Sequence, residues 1–394
     1  MRWAAALTAL LAGCATVPAA PPPPQAQSYA WATFDARGIE RSGASGLADR
    51  ATGRAVTIRD PVRIASITKL HVALGVMRLV EQGKLDLDRD VSDYLGWTLR
   101  NPAFPDRPIT LRLLLSHRSS LRDGIDYALP VGTTVQAAIA SSEAFDAEHP
   151  PGTFFRYSNL GFPVIASVME AATGERFDAL MQRLVLTPLK LESCFNWSIC
   201  RDDVVARAVV LYAPDGSVKK DDLGGRRPAC PGVTGPDGTC DLGGYRPGAN
   251  GAIFSPQGGL RISVADLARV GGLLLRHGRL ADGSRFLSEA SLAEMERLEW
   301  RYDGSNGETE ENFYCGYGLA VQVLAQCAPK DDPFGDGVAR IGHAGDAYGL
   351  RSGLWIDRRT GRGIAYFATG LGDDPPRGRS AYRAMEEWLA AKLK

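Results

Sequence analysis

The sequence contains no run of eighteen apolar residues, so no segment is expected to cross a membrane as an ordinary helix. It has no excess of positive charge, because 45 Lys and Arg balance 45 Asp and Glu, whereas nucleic-acid-binding surfaces are usually basic. Its 44 Gly and 24 Pro follow no period, which excludes a fibrous repeat. With 45% hydrophobic and 23% charged residues, the 394-residue chain is expected to form about two or three globular domains or one large catalytic unit.

The N-terminal residues indicate export. A short basic start and an apolar stretch lead to the sequence Leu-Ala-Gly-Cys that ends at Cys14, which resembles the bacterial lipobox. The resemblance implies a signal peptide over residues 1–13, lipid modification of Cys14, and an Ala/Pro-rich tether over residues 14–28. An ordinary signal peptide with an incidental Cys is the competing interpretation. The expected location is the cell envelope of a Gram-negative-type bacterium, lipid-anchored on the periplasmic face and by expectation in the outer membrane.

The other six cysteines are expected to form disulfides, because an exported protein reaches an oxidising compartment. They occur as three neighbouring couples, which predicts the pairs Cys194–Cys200, Cys230–Cys240 and Cys315–Cys327. A zinc site is the competing interpretation. No Cys-x-x-Cys motif occurs, and spacings of 6, 10 and 12 residues fit no common structural zinc pattern, so no metal is expected.

The order of predicted elements indicates an α+β fold. Residues 29–65 are rich in aromatic and β-branched side chains and predict strands. A helix that is apolar on nearly all sides begins at Ser66 and ends near Gly83, so it is expected to be buried. Further helices are predicted at Leu111–Leu115, Gly161–Thr173, Phe177–Val185, Val264–His277 and Ser288–Leu298, strands at Tyr317–Leu324, Gly349–Ile356 and Arg362–Thr369, and a last helix from Ser380 to Lys394.

This order predicts one antiparallel sheet built from both ends of the chain and flanked by helices, with a mostly helical region inserted between its halves. Residues 29–394 are expected to form that single domain. Residues 194–250, which are dominated by Gly, Pro, Asp and Cys, predict an irregular, disulfide-tied excursion over the surface. That excursion could also serve as an interaction surface.

Ser66-Ile-Thr-Lys69 places an ammonium one helical turn from a hydroxyl. A serine becomes a nucleophile when a base takes its proton, and a lysine can be that base if burial lowers its pKa. The N-terminus of the helix also offers free N–H groups for a developing oxyanion. Alone the motif is weak, because Ser217-Val-Lys-Lys220 has the same spacing in a polar turn.

Two further motifs could complete such a site. Tyr157-Ser-Asn159 combines a phenol that can pass a proton with an amide, although by itself it fits any loop before a helix. His343-Ala-Gly345 precedes the predicted strand Gly349–Ile356, and a lone His is more often structural than catalytic. Glycine at a strand edge allows close approach of a substrate.

In this order and spacing, the three motifs resemble the penicillin-recognising serine hydrolases (serine β-lactamases and penicillin-binding proteins), and within them the class C β-lactamase branch. That branch includes D,D-carboxypeptidases, D-aminopeptidases and esterases of β-lactamase fold. The flanking segments Leu113–Leu121 and Ser255–Ser263 also resemble those of this family. The resemblance runs from about residue 40 to the C-terminus and implies the β-lactamase/transpeptidase-like fold.

The resemblance also implies a role for each residue. Ser66 would be the nucleophile, and Lys69 its base or a group that tunes Tyr157, which would shuttle a proton to the leaving group. Asn159 would hold the substrate's amide or the Lys69 head. At the third motif, His343 would lend positive charge or a hydrogen bond, and Ala344, Gly345 and Asp346 would contact the substrate.

The expected oxyanion hole consists of the backbone N–H groups of Ser66 and Asp346, and no cofactor is needed. One departure concerns Ala344, where relatives usually carry a hydroxyl that helps to bind a substrate carboxylate. With a methyl there and Asp346 beside it, a neutral ester, an amide or a D-amino-acid derivative is expected ahead of a β-lactam.

The expected function is therefore hydrolysis of an amide or ester through a covalent acyl-enzyme. The substrate would be a D-amino-acid peptide or amide of the cell wall, or a carboxylic ester. The alternative is a catalytically silent envelope lipoprotein that binds a cell-wall peptide or a partner. Nucleic acid is not expected as a partner, and membrane contact is expected through the lipid alone.

Overall fold

The structure, a computed structural model, describes residues 25–394. Cys14, the predicted signal peptide and most of the predicted tether lie outside the described residues. The strands are β1 (Ser28–Asp35), β2 (Ile39–Asp49), β3 (Arg54–Ala55), β4 (Val62–Arg63), β5 (Cys194–Phe195), β6 (Leu211–Tyr212), β7 (Val218–Lys220), β8 (Leu260–Ile262), β9 (Trp300–Arg301), β10 (Gly316–Tyr317), β11 (Gln322–Val323), β12 (Ile341–Ala347), β13 (Leu350–Asp357) and β14 (Arg362–Thr369).

Most of the helices lie between β4 and β9. They are α1 (Ile67–Glu81), α2 (Ser92–Leu95), α3 (Leu111–Leu115), α4 (Val135–Ile139), α5 (Gly161–Thr173), α6 (Phe177–Met181), α7 (Asp202–Val205), α8 (Val264–Leu275) and α9 (Glu289–Glu296), with α10 (Ala384–Ala390) near the C-terminus. A π-helical segment at Gln182–Leu186 continues α6, so the predicted helix at Phe177–Val185 is α-helical in its first half only.

One nine-stranded antiparallel sheet organises the molecule, in the order β3-β2-β1-β14-β13-β12-β11-β10-β9. Strand β1 from the N-terminal part of the chain pairs with β14 from the C-terminal part, in a register that runs from Ser28 opposite Thr369 to Asp35 opposite Arg362. The prediction of a sheet built from both chain ends around a helical insertion is therefore confirmed. A small second sheet has the order β4-β8-β5.

Both faces of the large sheet are covered. Helix α8 packs on one face against β1, β13 and β14, and Gly271 permits the approach, since a Cβ there would lie 2.1 Å from the Phe34 ring. Helix α1 is buried on the same side along nearly its whole length, as its all-round apolar sequence predicts. Alternate residues of β14 face the opposite core, where Tyr366 and Leu389 of α10 belong to one cluster.

Three sequence-based boundaries were wrong. The predicted strand Tyr317–Leu324 is a hairpin of β10 and β11, because Ala320 has a positive φ of 53° and turns the chain. The third motif lies within strand β12, whereas the sequence predicted that it precedes a strand. The last helix begins at Ala384 rather than near Ser380, because Ser380 donates its hydroxyl hydrogen to the Glu387 carboxylate instead of capping a helix.

The three predicted disulfides are present, as Cys194–Cys200, Cys230–Cys240 and Cys315–Cys327. Residues 194–250 carry only short elements, β5, α7, β6 and β7. None of the helices within residues 25–394 combines the length and the apolar character that crossing a bilayer requires.

Candidate active site

Ser66 stands at the start of α1, directly after a sharp change of chain direction. Ala65 before it has a positive φ of 52°, a region that residues with a side chain seldom occupy. The Ser66 hydroxyl does not cap its own helix, and its backbone N–H has no partner among residues 25–394. Both groups are therefore free for chemistry. One turn along the helix, the Nζ of Lys69 lies 3.1 Å from Oγ of Ser66.

Lys69 is completely buried, and its ammonium meets three acceptors. Besides the Ser66 hydroxyl, these are Oδ1 of Asn159 at 2.8 Å and the backbone carbonyl of Gln257 at 2.9 Å. Burial lowers the pKa of Lys69 to about 7, against the opposing effect of the Asp123 and Glu310 carboxylates. About half of the molecules therefore carry a neutral Lys69 amine at neutral pH.

The neutral amine fits the same surroundings. The other two partners of Lys69 can only accept hydrogen bonds, so its two N–H bonds remain directed at them. Its lone pair is then left facing the Ser66 hydroxyl. The geometry thus selects the one proton that a base has to remove.

The second motif is held by Asp123, which sequence reasoning missed. The Asp123 carboxylate accepts hydrogen bonds from the Ser158 hydroxyl, from the backbone N–H groups of Asn159 and Leu160, and from Nδ2 of Asn159 at 2.9 Å. The last bond fixes the amide so that Oδ1 faces Lys69. Of the two roles expected for Asn159, holding the Lys69 head is the one that the contacts show.

Tyr157 lies between this cluster and an aromatic wall. Its ring stacks on Tyr314 at 4.6 Å between centroids, and Lys69 Nζ lies 4.8 Å from its centroid. Its hydroxyl is buried and completes no hydrogen bond with the described residues. Burial raises the pKa of Tyr157, and the neighbouring hydroxyls of Ser66 and Tyr314 lower it only in part. Tyr157 is therefore a phenol, able to donate a proton, rather than a phenolate base.

The third motif brings strand β12 against the residues that precede Ser66. A Cβ on Gly345 would lie 2.5 Å from the Ile64 carbonyl oxygen, so only glycine allows this approach. Ala344, Gly345 and Asp346 line the cleft that also contains Ser66. The Asp346 carboxylate forms an ion pair with Arg351, which offsets the extra negative charge that the sequence placed there.

His343 lies near the other motifs, with 6.3 Å between the centroids of its ring and the Tyr157 ring, but it does not face the cleft. Its side chain is fully buried behind the cleft and does not line it. Burial, and secondarily the charge of Lys69, lower the pKa of His343 to about 3, so the expectation of a positive charge is wrong. Its Nε2 accepts instead from the hydroxyl of Tyr317 at 2.7 Å, and the same hydroxyl lies 3.2 Å from Nε2 of His117.

The hydrogen bonds fix His117 in the neutral form, and the lowered pKa of His343 makes that imidazole neutral as well. The backbone N–H of Ser158 donates to Nδ1 of His117 at 3.1 Å, so His117 carries its proton on Nε2 and donates to Tyr317. Tyr317 then donates to His343, whose Nδ1–H is directed at the carbonyl of Ala344. These hydrogen bonds, through His117, Tyr317 and His343, connect the second motif to the third on the buried side of the cleft.

The motifs open into one cleft of about 1010 Å³. Charged side chains of both signs line it, with residues of the 194–250 excursion on one side. Burial, followed by the charge of Glu308, raises the pKa of the cleft carboxyl Glu310 to about 7. Within residues 25–394 no three His, Cys, Asp or Glu side chains are grouped to hold a metal ion.

Comparison with known proteins agrees with this geometry. The sequence matches the family described as Beta-lactamase over residues 23–387, nearly the whole chain. The chain belongs to the beta-lactamase family.

Among the family's characterised members, penicillin-binding protein 4 of Amycolatopsis lactamdurans is 29% identical over 255 residues, which cover 64% of this chain and 60% of that protein. Esterase EstB of Burkholderia gladioli is 35% identical over 170 residues, 38% of this chain and 42% of that protein. The chain thus spans less than two thirds of either relative.

The β-lactamase/transpeptidase-like fold expected from the motifs is confirmed by solved structures. The D-amino acid amidase of Ochrobactrum anthropi SV3, complexed with L-phenylalanine, superposes with a TM-score of 0.65 and 19% identity, over 93% of this chain and 92% of that one. At that identity the similarity concerns the fold alone.

The site residues that the sequence did not predict differ in how far a local motif in this member of the beta-lactamase family could have indicated them. His117 lies within Leu113–Leu121, a segment that supported the resemblance, so its position was visible although its role was not. Asp123 follows that segment closely. Glu310 and Tyr314 lie in a stretch without a motif, and only the fold brings them to the cleft.

Proposed function

We propose that this protein is a serine hydrolase that acts on an amide or ester through a covalent acyl-enzyme. The observation that carries the proposal is the 3.1 Å contact between the Ser66 hydroxyl and the Lys69 amine, whose other two partners are acceptors only. A neutral amine in this position has its lone pair directed at the serine proton. The related penicillin-binding protein and esterase support the same class.

Acylation follows from the placement of the groups. Lys69 takes the Ser66 proton while Oγ forms a bond to the substrate carbonyl carbon, and the N–H groups of Ser66 and Asp346 stabilise the oxyanion. The tetrahedral intermediate then collapses: the bond from the carbonyl carbon to the leaving group breaks as Tyr157 donates its proton to that group, and Tyr157 regains a proton from the Lys69 ammonium. Each preorganised oxyanion donor contributes about 3–4 kcal/mol to the transition state.

Deacylation uses the same groups with water as the nucleophile. A water attacks the acyl carbonyl and loses a proton to Lys69, which returns a proton to Oγ of Ser66 as the acid departs. The step restores the starting enzyme, and the proposed cycle uses no cofactor.

The substrate class follows from the third motif. Ala344 offers a methyl instead of a hydroxyl, and His343 is neutral and lies behind the cleft. An anionic group on the leaving side therefore lacks its usual partners, so we place a D-amino-acid peptide or amide of the cell wall, or a carboxylic ester, ahead of a β-lactam. The relative named as an esterase favours the ester.

We further propose that residues 29–394 form the catalytic domain and that lipidation of Cys14 anchors it in the cell envelope, on the periplasmic face of the outer membrane. The three disulfides support an oxidising compartment. The alternative, a silent lipoprotein that binds a cell-wall peptide, is less favoured because Ser66, Lys69 and Tyr157 are all present and close together.

The direct kinetic test compares a p-nitrophenyl ester, a D-amino-acid amide and a cephalosporin with wild type and Ser66→Ala. We expect turnover of the ester or the amide by wild type and none by the variant. Failure of a folded wild-type sample to turn over any of the three would favour the binding protein. A cephalosporin kcat/KM of roughly 10⁴ M⁻¹s⁻¹ or more would contradict the proposed order of substrates.

A further inference from the structure

Arg63 lies in the wall of the active-site cleft with its charge unpaired. It ends strand β4, three residues before Ser66, and is only 7% exposed. Its side chain makes no hydrogen bond or ion pair with any residue in 25–394, and its Nε is buried without a partner. A buried guanidinium without a carboxylate is costly to keep in a folded protein.

The charge of Asp221 acts on Arg63 but does not neutralise it. Asp221 is bound by Arg261, with Nη2 at 2.8 Å and Nε at 3.2 Å, and both partners are buried. Two guanidinium groups therefore share one carboxylate, so Arg63, Arg261 and Asp221 together carry about one positive charge. Burial, followed by repulsion from Arg261, lowers the pKa of Arg63 to about 10, so it stays charged at neutral pH.

The surroundings of Arg63 fit a ligand with an apolar stem and an anionic end. Tyr348 lies between two cations, with Cζ of Arg63 at 5.0 Å and Nζ of Lys220 at 5.7 Å from its ring centroid. Lys220 is exposed and forms no ion pair within the described part of the chain. Apolar side chains line the same cleft, among them Tyr127, Leu129, Leu223 and Val233.

This corner is separate from the place where relatives hold a carboxylate. Tyr348 follows Ala344 by four residues, and strand β12 ends just before it, so the two points are about 13 Å apart along the strand. The α-carbons of Arg63 and Ser66 are at most about 11 Å apart, since they are three positions apart in the chain. An anion bound here is thus within reach of a short acyl chain attached at Ser66.

We propose that Arg63, with Lys220 and Tyr348, binds a carboxylate at the far end of the substrate's acyl group. The site therefore prefers acyl groups whose far end is a carboxylate. That acyl group is either a dicarboxylic acid bound to Ser66 through one of its carboxyls, or a D-amino acid whose N-acyl group carries the free carboxylate. This inference rests on the proposed function, because the acyl group is defined by its bond to Ser66.

The test measures binding without turnover. Full-length Ser66→Ala protein, alone and with Arg63→Met, is titrated calorimetrically with two pairs of ligands of equal length. One pair is adipic acid monoanilide and hexananilide, and the other is glutaryl-D-alanine anilide and pentanoyl-D-alanine anilide. We expect the anionic member of at least one pair to bind about tenfold more tightly or better, and Arg63→Met to abolish that preference.

Two further variants and a stability measurement distinguish an anion-binding Arg63 from a structural one. Arg63→Lys should keep part of the preference, and Arg226→Met, which removes an exposed charge from the excursion, should keep all of it. Because Arg63 is unpaired, Arg63→Met should leave Tm unchanged or raise it, whereas a purely structural arginine would lower Tm on removal. Equal affinity for the members of both pairs, or a preference that survives Arg63→Met, would overturn the proposal.

Ligand binding and catalytic turnover are measured in separate experiments. Ester hydrolysis by wild type reports on the proposed function, and the anion preference in the Ser66→Ala background reports on Arg63. Hydrolysis without an anion preference would contradict the proposed carboxylate subsite and support the proposed hydrolase activity. An anion preference without hydrolysis would contradict the proposed acyl-enzyme. The bound carboxylate could then no longer be assigned to an acyl group.

Discussion

In the proposed mechanism Lys69 has to be neutral when Ser66 attacks the substrate. Two carboxylates in the cleft influence the fraction of neutral Lys69. Asp123 and Glu310 both raise its pKa against the larger effect of burial, which brings the value to about 7. The neutral form is populated above that value, so activity should rise as pH increases through about 7 and level off beyond it. Since the pKa of Glu310 is also about 7, the rise reports on both groups together.

Glu310→Gln should move this rise in activity to lower pH. The change removes a negative charge that stabilises the Lys69 ammonium, so the lysine loses its proton more readily. We expect a shift of a few tenths of a pH unit to about one unit in the kcat/KM profile. Glu311→Gln, which alters the neighbouring carboxylate that pairs with Arg377, is the control and should leave the midpoint in place. A shift to higher pH in Glu310→Gln would contradict this role of the carboxylate.

Lys69→Ala should reduce kcat/KM by about 10² to 10⁴-fold, the usual contribution of general base catalysis. Partial recovery is expected at high pH, where hydroxide can take the Ser66 proton. The measurement is the pH dependence of ester hydrolysis by the variant beside Lys84→Ala, an exposed lysine. Turnover at the wild-type level would show that another group is the base.

At the residue scale, the sequence predicted the groups that share a short motif and missed those that the fold brings together. Ser66 and Lys69 are one helical turn apart, so their contact follows from helix geometry alone. Tyr314 stacks on Tyr157 across 157 positions of chain, and no local pattern reports such a pair. His343 was misassigned because a motif does not show which face of a strand a side chain occupies.

At the scale of elements, the contact between strand β12 and the start of α1 holds the site together. The Ser352 hydroxyl donates to the Ile64 carbonyl at 2.9 Å, and Gly345 lies against the same carbonyl. The N–H groups of Ser66 and Asp346 belong to these two elements. Their separation, and with it the proposed oxyanion hole, depends on this packing.

Gly345→Ala tests that dependence. The added methyl would lie 2.3 Å from the Ser352 hydroxyl and 2.5 Å from the Ile64 carbonyl oxygen, so β12 has to move. We expect kcat/KM to fall about 10²-fold and the free energy of unfolding to fall by about 1–3 kcal/mol. The control is Gly244→Ala, where a Cβ meets nothing within 4 Å. Full activity in Gly345→Ala would show that the oxyanion hole lies elsewhere.

Helices were predicted more accurately than short strands, for a physical reason. The bounds of α3 and α5 agree with the sequence because their apolar period and their ends are local features. Strands β10 and β11 have two residues each, and their pairing depends on a turn whose positive-φ position is occupied by Ala320 rather than by Gly or Asn. Strand β12 contains two glycines, which lowers its apparent strand character.

At the scale of the whole molecule, the cleft is assembled from distant parts of the chain. The excursion over residues 194–250 supplies one wall, and the backbone of Val131 donates to the Val233 carbonyl at 2.9 Å, which ties that wall to the helical region. Cys230 lines the cleft as well. The excursion is therefore part of the site, whether or not it also contacts a partner.

Replacing both Cys230 and Cys240 by Ser should loosen this wall without touching Ser66 or Lys69. We expect KM for esters with long or bulky acyl groups to rise several-fold, because the wall that contacts them is less ordered. For p-nitrophenyl acetate, kcat/KM should stay within about twofold of wild type and serve as the internal control. An equal loss for small and bulky esters would show that the excursion supports the catalytic groups themselves.

The proposed chemistry depends above all on Ser66 being the acylated nucleophile, and intact-protein mass spectrometry detects that acylation directly. Purified wild type, Ser66→Ala and Ser217→Ala are incubated with a phosphonate probe and, separately, with a penicillin. Ser217 is the matched control because it has a lysine at the same spacing in an exposed turn. We expect one phosphonate adduct per molecule in wild type and in Ser217→Ala, and none in Ser66→Ala. The absence of any adduct on folded wild type, or an equal adduct on Ser66→Ala, would contradict the assignment of Ser66 as the nucleophile.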